Sequence, residues 1–170
     1  MDGSAPLLDP AAAAWAALAL AGPLALWGAV SDLRAMRIPN ALNAALALAF
    51  LPVGLAALPL DAVLWRLAAG LGVLVLGYGA FALGQVGGGD VKMLAAAALW
   101  VPPERAGPAL MLLSLALLVG LAAVLLIRRL GPEGARWRGL DPRTRRYPMG
   151  LSIGAALLAH LLISLPGPAA

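Results

Sequence analysis

Six apolar stretches joined by short polar connections leave this chain little choice of environment. They run roughly Ala11–Val30, Ala41–Leu60, Ala62–Gly84, Val91–Val101, Pro108–Ile127 and Pro148–Leu165. A helix needs about 20 apolar residues to cross the hydrocarbon of a bilayer, and in lipid only helices and closed barrels satisfy their own backbone. Of the 170 residues, 62% are hydrophobic and 12% charged, against about 25% charged in an ordinary soluble domain. That balance excludes a water-soluble globule. It also excludes disorder, which needs low hydrophobicity and high charge. The expected fold class is all-α: a polytopic membrane helical bundle of about six transmembrane spans, with residues 1–170 forming a single integral membrane domain.

The punctuation of the spans agrees with this. Pro39, Pro59, Pro102, Pro103 and Pro108 fall at span ends, where a missing amide and a fixed φ help to stop a helix. Asn40 and Asp61 stand where N-caps are expected. Trp15, Trp27, Trp65 and Trp100 lie near span ends and read as interfacial belt residues. Alanine and glycine faces predict close helix approach. The opening residues MDGSAPLLDP carry no Lys or Arg ahead of the first apolar run, so that span reads as retained and not as a cleaved signal. With no cysteine, disulfides, thiolate zinc sites, iron–sulfur clusters and cysteine nucleophiles drop out.

The net charge of +4 could suggest nucleic acid, but the basic residues cluster beside apolar spans, so no nucleic-acid partner is expected. Membrane orientation explains them better. With the N-terminus outside, the inner loops hold Arg34, Arg37, Lys92, Arg128, Arg129, Arg136, Arg138, Arg143, Arg145 and Arg146, and the outer segments only Arg66 and Arg105. Both termini are then outside and three basic loops face the cytoplasm. Among the acids, Asp2, Asp9, Asp61 and Glu104 fall outside, while Glu133 and Asp141 lie in the long basic loop. Asp32 and Asp90 are left at span ends at one membrane depth, on the cytoplasmic side.

A carboxylate at a lipid boundary is costly, and therefore a functional candidate. Asp32 could instead be a solvated partner of Arg34 or Arg37, and Asp90 an N-cap of the fourth span. The run Gly87-Gly88-Gly89 before Asp90 tips the balance. Three glycines are costly in backbone entropy, and they permit an unusual backbone and close approach of another chain. Irregular backbone at this depth belongs in a protein interior or a wet cavity. No GxxxxGK[ST] or GxGxxG pattern occurs, so phosphate binding is a weak alternative. Two carboxyls in contact cannot both ionise cheaply, so one keeps a proton. The charged member can then activate water while its neighbour protonates a carbonyl or leaving nitrogen. This chemistry needs no metal and no cofactor. The single histidine, His160, lies deep in the last span and reads as a packed polar residue.

The segment Asp32-Leu33-Arg34 through Ile38-Pro39-Asn40, followed by Gly87-Gly88-Gly89-Asp90-Val91-Lys92-Met93-Leu94, closely resembles the two signatures of type IV prepilin peptidases. These are GxGD-type aspartic proteases of the cytoplasmic (inner) membrane. Ala97-Ala98-Leu99-Trp100 and Pro148-Met149-Gly150 are also similar to the family, and the likeness runs from about Trp27 to Ile163. The resemblance implies removal of the leader peptide from type IV or Flp prepilin or pseudopilin precursors at the cytoplasmic face, beside membrane lipids. Asp32 and Asp90 would be the catalytic pair. Gly87, Gly88 and Gly89 would support the substrate backbone, with Lys92 beside them either tuning the pair or marking the cytoplasmic boundary. Arg34 and Arg37 share that ambiguity. The large members add a cysteine-bearing zinc domain and methylate the new pilin terminus; this sequence, without cysteine, resembles the minimal peptidases of tight-adherence (Flp) systems, and methyl transfer is not expected. Tyr78 and Gln85 could line the site, and the arginine-rich loop at 131–147 reads as a lipid anchor.

Two other readings fit the residues alone. A small ion-coupled transporter could use membrane-edge aspartates and a helix broken at glycines, although both aspartates lie on one side and no inverted repeat is visible. A non-catalytic pilus assembly scaffold would keep the fold without needing either carboxylate.

Overall fold

The computed structural model describes residues 6–131 and 135–167; Asp2 and Glu133 lie outside the described residues. The described chain is all helical: α1 (Pro10–Ala35), α2 (Asn40–Ala57), α3 (Leu60–Ala82), α4 (Gly88–Ala98), α5 (Ala106–Leu130) and α6 (Met149–Ile163). Single 3-10 turns at Pro103–Arg105 and Arg138–Leu140 precede α5 and α6. Each apolar stretch has become one helix.

Local chemistry sets the helix ends. Asp9 caps α1, accepting from the Ala12 N–H at 2.8 Å, with Pro10 as the first helical residue. Met36 closes α1 in the left-handed conformation, φ 53°, and its N–H returns to the Asp32 carbonyl at 2.8 Å. Asn40 and Asp61, expected to be caps, are not. Pro39 and Pro59 occupy those positions in extended conformation, and the following residue starts each helix. The ring fixes φ and the missing N–H costs nothing there. Pro23 and Pro52 lie inside α1 and α2.

Four segments are long and apolar enough to cross a membrane: α1, α2, α3 and Pro103–Leu130. The other two are shorter: α4 agrees with the short stretch Val91–Val101 expected from the sequence, and α6 falls short of its expected Pro148–Leu165. At 11 and 15 residues, α4 and α6 extend only about 16 and 22 Å, against a hydrocarbon thickness of about 30 Å. Their position explains the difference. In α6, Gly150, Ser152, Ile153, Gly154, Ala156, Leu157, His160 and Leu161 are all buried, whereas α5 buries Val124 alone and α3 Val63 and Gly70. The two short helices form the centre and the long ones meet lipid. Trp100, expected at the interface, is consequently a core residue. It is buried, its Nε1 donates to the Leu46 carbonyl at 3.1 Å, and its ring meets Phe50 edge-on at 5.7 Å. Trp15, Trp27 and Trp65 are exposed.

Small residues set the α1–α6 crossing, as the alanine and glycine content predicts. A Cβ at Gly154 would lie 2.5 Å from the Ala25 carbonyl oxygen and 3.1 Å from the Ala29 Cβ. One turn earlier on the same face is Gly150, packed against Asp32. At this end the described part of the basic loop folds back on the bundle. Arg128 holds it, with Nε and Nη2 on the Gly139 carbonyl and Nη2 also on that of Arg146. Arg34 stacks 4.9 Å over Trp137.

Gly154→Ala is expected to push α1 and α6 apart at a backbone contact that cannot rotate away, at a cost of roughly 1–3 kcal/mol. Thermal unfolding in detergent checks this; an unchanged midpoint would show that the crossing has room to spare.

Candidate active site

Asp32 sits in the last turns of α1 and is 5% exposed. Its Oδ2 accepts the Gly150 N–H at 2.7 Å. Gly150 is the second residue of α6, so this N–H is one of the donors that a helix leaves without an internal partner. It also lies at the positive end of the helix dipole. Asp32 accordingly caps α6 from outside. Arg34, an alternative partner for Asp32, is stacked on Trp137 instead.

Asp90 is the third residue of α4, not its N-cap, which is Gly87. From there the Asp90 carboxylate turns back toward the N–H groups of Gly87 and Gly150 and feels the charge of Asp32. A third-position acid returning to the cap is familiar helix chemistry. What is added here is Asp32 from α1 and the first turn of α6. The two aspartates expected from the sequence are therefore brought together around one backbone N–H, at the N-termini of two helices.

The glycine run departs from expectation. Gly88 and Gly89 are helical; Gly87 is extended, φ −78° and ψ 142°. No unusual backbone is needed in the run itself; the left-handed position is Gly84, φ 70°. Gly87 matters because it lacks a side chain. A Cβ at Gly87 would lie 2.6 Å from Asp90 Oδ2, whereas one at Gly89 would make ordinary contact with Ile38 at 3.4 Å. At Gly88 it would meet only the Phe81 ring, at 3.4 Å, which is ordinary contact.

Two clefts meet at the aspartates. One, about 740 Å³, lies between the α1–α2 connection and the glycine run; Arg37, Ile38 and Asn40 line it. The other, about 600 Å³, opens between α3, α5 and α6; Phe81, Gln85, Leu117 and Tyr147 line it. Asp32, Met36, Gly87, Gly88 and Asp90 line both. An extended peptide could enter by one cleft and leave by the other, passing the carboxylates.

Of the remaining residues singled out in the sequence, Lys92 lines neither cleft. Its Nζ donates to Asn40 Oδ1 at 3.0 Å and ties α4 to the first turn of α2. Gln85 lines the second cleft; Tyr78 does not, and packs edge-on against Phe81 at 5.9 Å. His160 is buried in the last turn of α6, at the opposite end from Gly150. Among the described residues no three His, Cys, Asp or Glu side chains group as metal ligands.

Three residues at the site were not foreseen as contributors. Gly150 supplies the shared N–H. Asn43, buried on α2, donates from Nδ2 to the Gly89 carbonyl at 3.3 Å and so steadies the start of α4. The Tyr147 hydroxyl is hydrogen-bonded to Ser152 Oγ, and Ser152 donates to the Ala116 carbonyl at 2.8 Å. Burial raises the Tyr147 phenol above its ordinary range, and the Asp32 charge adds to this against the Ser152 hydrogen bond. It therefore stays protonated at neutral pH. The adjoining Pro148-Met149-Gly150 was the available signal for all but Asn43.

The family model of the type IV leader peptidase family matches residues 18–127. The matched region carries Asp32, the glycine run and Asp90, and ends before α6. No curated protein and no solved structure matches the chain. With most of its length matched, and the two matched aspartates meeting in one site, the chain belongs to the type IV leader peptidase family.

Proposed function

We propose that this membrane protein is an aspartic endopeptidase, with Asp32 and Asp90 as its catalytic pair. It would remove the leader peptide from type IV or Flp prepilin-like precursors at the cytoplasmic face. The meeting of the two carboxyls around the Gly150 N–H, at the junction of two clefts, carries this reading.

The chemistry follows from one proton shared by two carboxyls. The ionised aspartate takes a proton from water as the oxygen adds to the peptide carbonyl carbon, while the protonated aspartate donates to the carbonyl oxygen. As the tetrahedral intermediate collapses and the C–N bond breaks, the aspartate that gave up its proton takes one back from a hydroxyl of the intermediate, and the proton gained from water passes to the leaving amine. The pair returns to its starting charge. Gly87 leaves room for the Asp90 carboxylate beside the substrate backbone, and Gly88 and Gly89 keep the first turn of α4 slim. Lys92 acts at one remove, by holding α4 to α2.

The side of the membrane is argued from charge. Arg34, Arg37, Lys92 and the arginines of 128–146 lie at the aspartate end of the bundle, and such residues favour the cytoplasm. Residues 1–170 are read as one peptidase domain that resembles those of tight-adherence systems.

Co-expression with an Flp or type IV prepilin, followed by gel shift and mass spectrometry, tests the proposal. Wild type should remove the leader. Asp32→Asn and Asp90→Asn should each lower the rate by roughly 10²–10⁴-fold while still inserting, as expected when an acid–base group is lost. Intact precursor from wild type across several prepilins would overturn the proposal in favour of a carrier or scaffold.

The glycines give a sharper contrast. Gly87→Ala places a methyl against Asp90 Oδ2 and should reduce cleavage severely, whereas Gly88→Ala should retain most of it. Equal rates for the two variants would contradict the role assigned to Gly87.

A further inference from the structure

The opposite end of the bundle holds a second polar cavity, of about 490 Å³. Arg66 from α3 and Arg105 from the 3-10 turn before α5 both line it, with Glu104, buried His160 and Ser164. These are the two basic residues that orientation by charge places on the outer side. Far apart in sequence and on different elements, they converge on one cavity. Like charges brought together in a partly buried space are unfavourable, and arginine is rare on the outer side. Two such departures meeting at one point call for a ligand.

We infer that this cavity binds the phosphodiester headgroup of an anionic phospholipid. The charge balance sets the class: two guanidiniums against the single Glu104 carboxylate leave one positive unit, which matches a phosphodiester monoanion. Arginine is the side chain suited to it, since its planar fork meets phosphate oxygens in pairs. The Arg105 Nη1 is already turned inward, donating to Ser164 Oγ at 3.1 Å, and Arg66 lies 5.8 Å over the Phe50 ring. The walls set the source. Ala13 and Ala17 of α1, with Phe50 and Leu161, give an apolar lining suited to the upper acyl chain and poorly suited to hydrated free phosphate. The cavity also lies where α1 begins, α2 ends and α6 ends, which is headgroup depth in the outer leaflet under the proposed orientation. This inference does not rest on the peptidase reading, because the cavity is at the other end from the aspartates.

The full chain, purified in an uncharged detergent, is titrated with phosphatidylglycerol, with phosphatidylcholine of the same acyl chains, and with inorganic phosphate, reading the thermal unfolding midpoint. Phosphatidylglycerol should raise the midpoint and the other two should not. Arg66→Gln and Arg105→Gln should each shift the dose response to roughly tenfold higher lipid, the loss of about one charge-assisted hydrogen bond. Glu104→Gln should shift it to lower lipid, because the competing carboxylate is gone. An unchanged dose response in both arginine variants would overturn the site. A midpoint shift with inorganic phosphate alone would overturn the lipid assignment. Weaker lipid binding by Glu104→Gln would show that Glu104 only pairs with the arginines, which also overturns it. Should Arg66→Gln fail to fold, Arg66→Lys with Arg105→Gln decides the same question.

Discussion

The hydrogen bond from the Gly150 N–H to Asp32 organises the active-site end of this protein. It exists because α1 and α6 cross closely, and they cross closely because Gly150 and Gly154 face Ala25, Ala29 and Asp32 across the contact. Any side chain on those two glycines would separate the helices and withdraw the carboxylate. The bond also solves a problem for α6. Its first N–H groups lie inside the protein, where an unpaired donor costs about 1–3 kcal/mol, and Asp32 supplies an acceptor. Asp90 then joins the same donor from the start of α4. Packing, capping and the proximity of the two carboxyls are thus one arrangement viewed at three scales.

A protein in lipid cannot position polar groups by surrounding them with water, so it positions them with helix ends. Both aspartates lie against helix N-termini, where donors and the dipole favour negative charge. The two helices that offer those N-termini, α4 and α6, are also the two too short to span. A full-length helix would carry its free donors out to the headgroups; a short, central one keeps them inside. The long helices α3 and α5, with few buried residues, shield the short ones from lipid.

Most of the fold was legible because apolar runs in a chain this poor in charge admit few structures, and each became a helix. The aspartates stood out for the same reason: an ionisable side chain is conspicuous against alanine and leucine. What escaped was chemistry that residue type does not carry. Gly150 contributes a backbone N–H, which looks alike at every position of a sequence. Asn40 and Asp61 have capping side chains, yet the preceding prolines already supplied the non-helical residue, and Asn40 was left to pair with Lys92. Trp100 occurs near a span end and so resembles an interfacial residue; that it follows a central helix appears only once α2 packs against it and the Leu46 carbonyl takes its N–H. The glycine run suggested irregular backbone, but the need was for space beside Asp90, at Gly87.

The length of α6 also explains why polar cavities occur at two levels of the bundle. The interior backbone of a buried helix is satisfied internally, so only the backbone at its two ends is left to engage polar partners. At the first end the free N–H of Gly150 meets the carboxylates. At the last, Ser164 turns both its N–H, at 3.1 Å, and its hydroxyl, at 2.8 Å, to the His160 carbonyl. That same hydroxyl receives Arg105, so the guanidinium reaches the cavity through the terminal turn of the helix that began at Gly150. Because α6 is shorter than the bilayer is thick, both ends fall within the protein and each needs partners from neighbouring helices. The donors at one end draw anions from within the chain, Asp32 and Asp90; the carbonyls at the other favour cations, Arg105 and its neighbour Arg66, and with them a surplus of positive charge that the chain's own Glu104 only partly offsets.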